Sequence, residues 1–137
     1  MRSQKPILLV EDDQVDAMMI TRAMQELNIN NRLDIATNGE EALAYLRDRN
    51  LEKPSLIFLD LNMPRMNGLE FLRIVKQDTL LRQIPVIVLT TSREAQDRQE
   101  SFKLSVSGYM VKPSDYLELV EIIRVIDLYW SLSELPE

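Results

Sequence analysis

Asp60 follows directly on a run of four apolar residues, Leu56–Leu59, and is followed by loop-forming residues. Four consecutive apolar residues indicate a strand that is buried on both faces, as in a parallel sheet. The Met63–Pro64 and Asn67–Gly68 pairs are typical of turns, so the carboxylate lies where the strand ends and a loop begins. Ligands bind at the carboxyl ends of strands in open α/β sheets. Two interpretations follow from this segment: Asp60 is a nucleophile that accepts a phosphoryl group, or it caps the following turn.

Three other apolar runs also end at residues that could take part in chemistry. Glu11 and Asp12 follow one run, Thr90 ends another, and Lys112 follows a third. In a parallel sheet these strand ends lie at one edge, and in the order 2-1-3-4-5 the first and third strands are neighbours. Three carboxylates, one hydroxyl group and one ammonium group would therefore converge around Asp60.

This combination of groups favours a site for a divalent cation and a phosphoryl group. Carboxylates this close repel each other, which raises their pKa values unless a cation is present, and Mg²⁺ is the usual hard cation for oxygen ligands. The metal would bridge a carboxylate and a phosphoryl oxygen, Lys112 would pair with a second oxygen, and Thr90 would donate a hydrogen bond to a third. Each residue alone also has an ordinary structural role, so their joint placement is what favours this function.

The apolar periodicity predicts five strands that alternate with five helices. The predicted strands cover residues 6–10, 32–36, 55–60, 86–89 and 108–111, and the predicted helices cover 14–27, 39–49, 69–77 and 93–104, with a fifth from 114 onward. This alternation predicts one α/β domain over residues 1–137, a doubly wound five-stranded parallel sheet. Its core would cover about residues 6–126, and residues 127–137 would form a C-terminal extension.

Two helix starts and one weak helix can be predicted from individual residues. Asp13 is placed to cap the first helix, and Ser114 is placed to cap the fifth. The fourth helix is unusually polar, with Ala95, Phe102 and Leu104 as its few apolar anchors. Few apolar anchors predict low local stability for that helix.

The composition excludes several classes of function. The net charge of −6 and the pI near 4.8 argue against direct binding of nucleic acid, which needs a basic surface. Histidine and cysteine are absent, which excludes histidine-based catalysis, disulfides and thiol chemistry. No apolar run approaches the length of a membrane span or a signal peptide, so a cytoplasmic location is the default expectation.

Four segments together resemble the receiver domains of two-component response regulators, which have the flavodoxin-like fold of the chemotaxis regulator. The resemblance covers about residues 6–126, and its segments are Leu8–Asp12, Leu59–Gly68, Pro85–Thr90 and Gly108–Pro113. A narrower resemblance, to the small regulators paired with cyanobacterial phytochromes, rests on Glu11–Asp13, Thr90–Ser92 and the Tyr-Trp…Glu-Leu-Pro ending.

The resemblance implies a set of roles at the same edge of the sheet. It implies that a sensor histidine kinase, in the narrower case a phytochrome, phosphorylates Asp60. It also implies that Asp12 binds Mg²⁺ or Mn²⁺ directly, that Glu11 does so through water, and that Asn62 contributes its backbone carbonyl. Such a protein is a phosphoacceptor and not an enzyme, apart from autocatalytic phosphoryl transfer and slow self-dephosphorylation.

The resemblance further implies a conformational switch. Thr90 would move toward the phosphoryl group, Tyr109 would fill the space it leaves, and the face from the fourth strand to the fifth helix would change shape. The bond between Lys112 and Pro113 is expected to be cis. Two departures from the family pattern affect this region: Thr91 replaces a very small residue, and residues 104–107 lack the common Gly-Ala pair. We expect the bulk of Thr91 to hinder phosphatases and small phosphodonors.

The C-terminal segment is apolar, which predicts a protein interface. Tyr129, Trp130, Leu132 and Leu135 are the candidate interface residues, because exposed aromatic clusters favour interfaces. The alternative is that this segment folds back on its own domain. The resemblance to phytochrome regulators favours a homodimer whose output passes through protein contacts, without nucleic acid or membrane partners.

Three other functions are compatible with parts of the pattern. A Mg²⁺-dependent phosphatase with an aspartyl nucleophile usually has a second acid two residues further on, where this chain has Asn62. A flavin- or nucleotide-binding module would need a phosphate-binding loop after the first strand, where Glu11–Asp13 would repel a phosphate. The third alternative is an interaction module that acts without phosphorylation, against which the complete set of acids, Thr90 and Lys112 argues.

Overall fold

The computed structural model describes residues 3–133, which form five strands and five α-helices in the predicted alternation. The strands are β1 (Ile7–Val10), β2 (Leu33–Ala36), β3 (Leu56–Leu59), β4 (Val86–Thr90) and β5 (Gly108–Val111). The helices are α1 (Gln14–Glu26), α2 (Gly39–Arg47), α3 (Gly68–Gln77), α4 (Ala95–Lys103) and α5 (Tyr116–Leu132). A short 3₁₀ turn, Leu81–Gln83, precedes β4.

The strands form one parallel sheet in the order β2-β1-β3-β4-β5, which confirms the predicted doubly wound, flavodoxin-like topology. Val10 of β1 lies opposite Leu59 of β3, so the residues that follow these two strands are neighbours at the same edge. Thr90 of β4 lies opposite Val111 of β5, which places Lys112 beside the end of β4. The register therefore brings four strand ends together.

The sheet is covered by helices on both faces, because alternate residues of its central strands point to opposite sides. On one face Leu8, Val10, Ile57 and Leu59 pack in a cluster with α2 and α3. On the other face Ile7, Leu9, Leu56 and Phe58 pack in a cluster with α1 and α5. These strand residues are at most 2% exposed, so the sheet is a rigid base for the loops at its edge.

Side-chain caps determine where most of the helices begin. Asp13 caps α1 as predicted, since its carboxylate accepts a hydrogen bond from the Asp16 N–H. Asn67 and Glu70 form a capping box at the start of α3. The predicted cap of the fifth helix is wrong by one residue: Asp115, not Ser114, accepts a hydrogen bond from the Leu117 N–H. Aspartate and serine cap equally well, so sequence preference could not separate these neighbours.

The last helix continues into the segment predicted as a C-terminal extension, which was expected to begin at residue 127. α5 runs without a break to Leu132, and its buried residues include Leu119, Ile123, Ile126 and Trp130. Those positions lie three or four residues apart, so one apolar stripe packs on the sheet along the whole helix. In the described part of the chain, no helix combines the length and the apolar character needed to cross a membrane.

Candidate functional site

Three carboxylates meet where β1 and β3 end. One oxygen from each of Glu11, Asp12 and Asp60 lies within 4.8 Å of the other two. The Asp60 N–H donates a hydrogen bond of 3.0 Å to the Val10 carbonyl, which continues the β1–β3 ladder into the site. Glu11 and Asp60 are buried, with 2% and 5% exposure, whereas Asp12 is exposed. The acids predicted from the sequence therefore do converge, with one of them open to solvent.

Lys112 reaches this acidic cluster from the end of β5. Its Nζ donates hydrogen bonds to Glu11 and to Asp16, the latter at 2.7 Å, and lies 3.7 Å from Asp60 Oδ2. The Lys112 N–H donates to the Thr90 carbonyl at 2.8 Å, which holds the lysine backbone against β4. The side chain is only 10% exposed, so its charge acts in a region with little solvent.

Burial and charge change the pKa values of two groups in the cluster. Burial raises the pKa of Glu11 to about 7, against the lowering effect of its hydrogen bond with Lys112, and the nearby Asp60 charge adds to the rise. Burial alone would lower the pKa of Lys112, but hydrogen bonds with Asp16 and Glu11 and the Asp60 charge raise it to about 12. The cluster thus contains more negative charge than one lysine balances.

The donor set fits a hard divalent cation. Mg²⁺ and Mn²⁺ prefer oxygen ligands, and Mg²⁺ is usually bound by one or two carboxylates with several waters. Asp60 Oδ1 is buried and has no hydrogen-bond partner, which is costly for a carboxylate oxygen. A cation between Asp60 and Asp12 would satisfy that oxygen and favour the ionised form of Glu11. An acidic pocket of the kind that holds Mg²⁺ or Mn²⁺ is therefore present.

Asn62 lies two residues beyond Asp60 on the exposed side of the site. Its amide Nδ2 donates a long hydrogen bond of 3.5 Å to Thr91 Oγ1. The loop after β3 therefore touches the loop after β4 across the mouth of the site. Metal binding by the Asn62 carbonyl stays a prediction.

The predicted switch residues are linked through the loop that follows β4. Thr90 is fully buried, and its Oγ1 accepts a hydrogen bond of 3.3 Å from the Ser92 N–H. Tyr109 is half-buried, and its hydroxyl group donates to the Ser92 carbonyl at 3.1 Å. The Ser92 hydroxyl group in turn donates to Asp97 Oδ2 at 2.7 Å. Ser92 thus connects Thr90, Tyr109 and α4.

The start of α3 packs directly on the backbone of Asp60. A Cβ atom added at Gly68 would lie 2.4 Å from the Asp60 carbonyl oxygen and 2.6 Å from Leu61 Cα. The Gly68 N–H also donates a hydrogen bond of 3.0 Å to the Leu61 carbonyl. The position of the candidate phosphoacceptor is therefore set by a close contact that only glycine allows.

Two features of the site differ from the sequence-based predictions. Asp16, on α1, contacts Lys112 and was not among the predicted site residues. The sequence did contain a signal for this role, since Asp16 lies in the first turn of the helix that follows the acidic end of β1, close to the predicted site. The Lys112–Pro113 bond is trans, since residues 3–133 contain no cis peptide bond, so the expected cis bond is wrong. The trans form is the intrinsically preferred form of X–Pro bonds.

The predicted interface residues separate into two groups. Tyr129 and Leu132 are 59% and 75% exposed on α5. Trp130 is 7% exposed and packs mostly with α1 and the sheet, while part of its ring lines a groove between α3 and α5, so its role in an interface stays a prediction. The helical repeat turns Trp130 inward while its neighbours face solvent. Leu135 lies outside the described residues.

Comparisons with known proteins agree with this geometry. Residues 7–124 match the family model of the response regulator receiver domain. The chain is 36% identical over 130 residues to the response regulator Rcp1 of Synechocystis, an alignment that covers 92% of this chain and 88% of Rcp1. It is 38% identical over 129 residues to the probable methanogenesis regulatory protein FilR2 of Methanothrix harundinacea, covering 90% of this chain and 82% of FilR2.

Solved structures give the same result in three dimensions. The phosphorylated cyanobacterial phytochrome response regulator RcpA superposes with a TM-score of 0.92 at 36% identity, covering 98% of this chain and 100% of RcpA. The Mn²⁺-bound form of Rcp1 superposes with a TM-score of 0.89 at 34% identity, covering 98% of this chain and 100% of that structure. Both similarities extend over the whole described fold.

Proposed function

The chain belongs to the response regulator receiver domain family, and we propose from this membership that Asp60 accepts a phosphoryl group from a sensor histidine kinase. The observation that supports the proposal most is the unpartnered Asp60 Oδ1, buried beside two other carboxylates and one lysine. Because no protein group donates a hydrogen bond to this oxygen, its lone pairs are free to act as a nucleophile toward phosphorus. Members of this family are generally phosphoacceptors and not enzymes.

The transfer would proceed by attack of an Asp60 oxygen on phosphohistidine. A bond forms between the Asp60 oxygen and phosphorus, the bond between phosphorus and the imidazole nitrogen breaks, and the leaving imidazole nitrogen takes a proton from solvent. Acetyl phosphate would serve in the same way, with acetate as the leaving group. Slow hydrolysis of the resulting acyl phosphate would return Asp60 to its free form.

Glu11, Asp12, Asp60 and the Asn62 carbonyl would hold Mg²⁺, or Mn²⁺, beside the reacting oxygen. When bound, the metal supplies positive charge that offsets the charge of the phosphoryl oxygens during transfer. Lys112 would move from its contact with Glu11 to a phosphoryl oxygen, over a short distance because its Nζ is already 3.7 Å from Asp60. The Thr90 hydroxyl group would donate a hydrogen bond to another phosphoryl oxygen.

Phosphorylation would be read out through Thr90, Ser92 and Tyr109. When the Thr90 hydroxyl group turns toward the phosphoryl group, it stops accepting the Ser92 N–H hydrogen bond. The Ser92 carbonyl, to which the Tyr109 hydroxyl group donates, shifts with it, and Tyr109 turns inward. The face formed by β4, α4 and β5 then changes shape.

The cognate kinase is proposed to be a phytochrome. The support is that RcpA is described as a phytochrome response regulator and superposes over 98% of this chain. A cytoplasmic location follows from this proposal, because the kinase must take its phosphoryl group from ATP. The cognate kinase can be tested by transfer from purified phosphorylated phytochrome in competition with an unrelated histidine kinase.

Exposed apolar residues on α5 support a homodimer. Val125, Leu128, Tyr129 and Leu132 are each about half exposed or more and lie at helical spacing on one face. Sedimentation velocity of Leu132→Glu should show a monomer, while Met18→Glu, at an exposed residue of α1, should keep the dimer. If the wild-type protein is a monomer at tens of micromolar, both phosphorylated and unphosphorylated, the homodimer is excluded.

Intact-mass spectrometry tests the phosphoacceptor directly. Wild-type protein with Mg²⁺ and acetyl phosphate should gain the mass of one phosphoryl group, and Asp60→Asn should gain none. Asp115→Asn is the matched control, because asparagine caps α5 as well as aspartate does and the residue lies outside the site. A full mass gain in Asp60→Asn would show that another residue is the acceptor.

A further inference from the structure

A large groove lies on the side of the domain opposite the acidic cluster. It has a volume of about 1090 Å³ and is bounded by α3, the 3₁₀ turn, the end of α4 and the end of α5. Pro85 and Ser107, which line it, directly precede β4 and β5, so the groove is at the amino-terminal edge of the sheet. Asp60 is at the carboxyl edge, more than about 13 Å away for strands of this length. The groove is therefore separate from the phosphorylation site.

Four basic side chains line this groove, which we call the basic groove: Arg73, Lys76, Arg82 and Lys103. Among residues 3–133, Glu100 is the one acidic residue that lines it, and it forms an ion pair with Arg73. Lys76 donates a hydrogen bond of 3.3 Å to the Arg82 carbonyl, and burial lowers its pKa. Within residues 3–133, no carboxylate pairs with Lys76, Arg82 or Lys103.

This concentration of positive charge stands out against the composition of the chain. The chain has 22 acidic and 16 basic residues, so a random surface region would be acidic. Lys76, Arg82 and Lys103 have no carboxylate partner among residues 3–133, and like charges that line one depression repel each other. A negatively charged occupant would remove that repulsion and would also favour the charged form of Lys76.

The remaining lining residues are uncharged, and several of them are apolar. Ile84, Pro85, Leu104 and Trp130 contribute apolar surface between the basic side chains. The cations come from three different elements, α3, the 3₁₀ turn and α4, so they border an extended surface and do not converge on one point. These features favour a chain segment over a small anion.

We propose that the basic groove binds an acidic segment of a partner protein, with at least one large apolar side chain placed against Ile84, Leu104 and Trp130. Acidic residues on either side of that side chain would pair with Lys76, Arg82 and Lys103. Binding would not require phosphorylation of Asp60, because the groove is formed in the unphosphorylated protein. The proposal thus adds a second docking surface, independent of the proposed phosphoacceptor function.

Binding can be measured with the full chain and a labelled peptide. The probe is a fluorescein-labelled ten-residue peptide of glutamate, leucine and glycine, titrated by fluorescence anisotropy against unphosphorylated protein. We expect saturable binding that weakens by about tenfold when glutamine replaces glutamate, and again when serine replaces leucine. Binding should also weaken with added salt. The absence of saturable binding, or equal binding of all three peptides, would overturn the proposal.

Charge reversal locates the binding site. The double variant Arg82→Glu and Lys103→Glu should bind the glutamate–leucine peptide about tenfold more weakly or not at all. The control variant Arg47→Glu and Arg49→Glu changes the net charge equally at exposed residues outside the groove, and it should bind like the wild type. Equal loss in both variants would reduce the effect to overall charge and would overturn the proposal. Thermal unfolding followed by circular dichroism verifies that both variants are folded.

Trp130 provides an independent measurement. It is the one tryptophan of the chain and it lines the basic groove, so its fluorescence reports on an occupant there. The unlabelled peptide should change that fluorescence with the same midpoint as the anisotropy titration. An unchanged emission spectrum at saturating peptide would place the peptide elsewhere and would overturn the proposal.

Discussion

α3 and α4 flank the same candidate site but are held in place very differently. α3 begins with a capping box and buries Phe71, Leu72 and Val75 completely. α4 has no side-chain cap at its N-terminus, and its one buried residue is Ser101, a polar residue. A helix with few buried apolar contacts opens locally at low free energy, whereas one anchored in the core opens only with the domain. The site therefore lies between α3, which is fixed in the core, and α4, which can move.

The contacts that hold α4 are mostly hydrogen bonds. Ser92 donates to Asp97 and accepts from the Glu94 N–H, and the Ser101 hydroxyl group donates to the Asp97 carbonyl at 2.8 Å. Each such bond contributes only about 1 kcal/mol, so the set can rearrange without unfolding the core. Phe102, the one aromatic residue of α4, is 52% exposed and contributes little burial.

The largest expected difference between the two helices comes from truncating one phenylalanine in each. Phe71→Ala should lower the free energy of unfolding by about 3–5 kcal/mol, because it leaves a cavity in the core. Phe102→Ala should change it by less than about 1 kcal/mol, since half of that side chain is already in water. Urea unfolding measures both values. Similar losses in the two variants would contradict the difference in anchoring.

A substitution at Gly68 tests whether α3, the helix fixed in the core, also positions Asp60. Gly68→Ala should destabilise the protein by about 2–3 kcal/mol, because the new Cβ collides with backbone atoms at Asp60 and Leu61. Phosphorylation by acetyl phosphate should slow as well, since the carboxylate is displaced. Gly108→Ala is the control, because its nearest contacts would be 3.9 Å away on Ile87, and it should leave stability unchanged within about 0.5 kcal/mol. Normal phosphorylation of Gly68→Ala would show that α3 does not position the acceptor.

A substitution at Ser92 tests the polar contacts that hold α4 in place. Ser92→Ala should cost about 1 kcal/mol and should speed hydrogen exchange of α4 amides, while α3 amides keep their rates. Ser114→Ala removes an exposed hydroxyl group from the loop before α5 and serves as the control. Exchange measured by NMR or mass spectrometry separates the two helices. Equal acceleration in both helices would mean that α4 does not open independently.

A new cap on α4 should produce the smallest effect, in the opposite direction. Glu94 is the N-cap residue of α4 but makes no side-chain capping bond, so Glu94→Ser should stabilise the helix by about 0.5 kcal/mol. We expect α4 amides to exchange more slowly as a result. Glu52→Ser, in an exposed loop, is the control. Unchanged exchange in Glu94→Ser would show that the missing cap does not limit the stability of α4.

The sequence was sufficient to predict the sheet and the acidic edge, because apolar runs and the charged residues after them are local signals. It also predicted the polar character of α4. Features that depend on three-dimensional packing could not be predicted from local sequence patterns. The inward turn of Trp130 depends on α5 continuing in register, and the contact of Asp16 with Lys112 joins residues 96 positions apart. Ser114 and Asp115 are both good caps, so local preference could not decide between them.

Lys112 has a consequence for the protein at rest. Because its ammonium group contacts the carboxylates of Glu11 and Asp16 and lies near that of Asp60, the acidic cluster includes its own counter-ion. Lys112 would therefore offset part of the repulsion between these carboxylates, and a divalent cation held by them would have to compete with the lysine ammonium group. We expect the net affinity for a metal to be reduced by the free energy lost when the Lys112 contacts are replaced, which would keep metal binding weak and reversible.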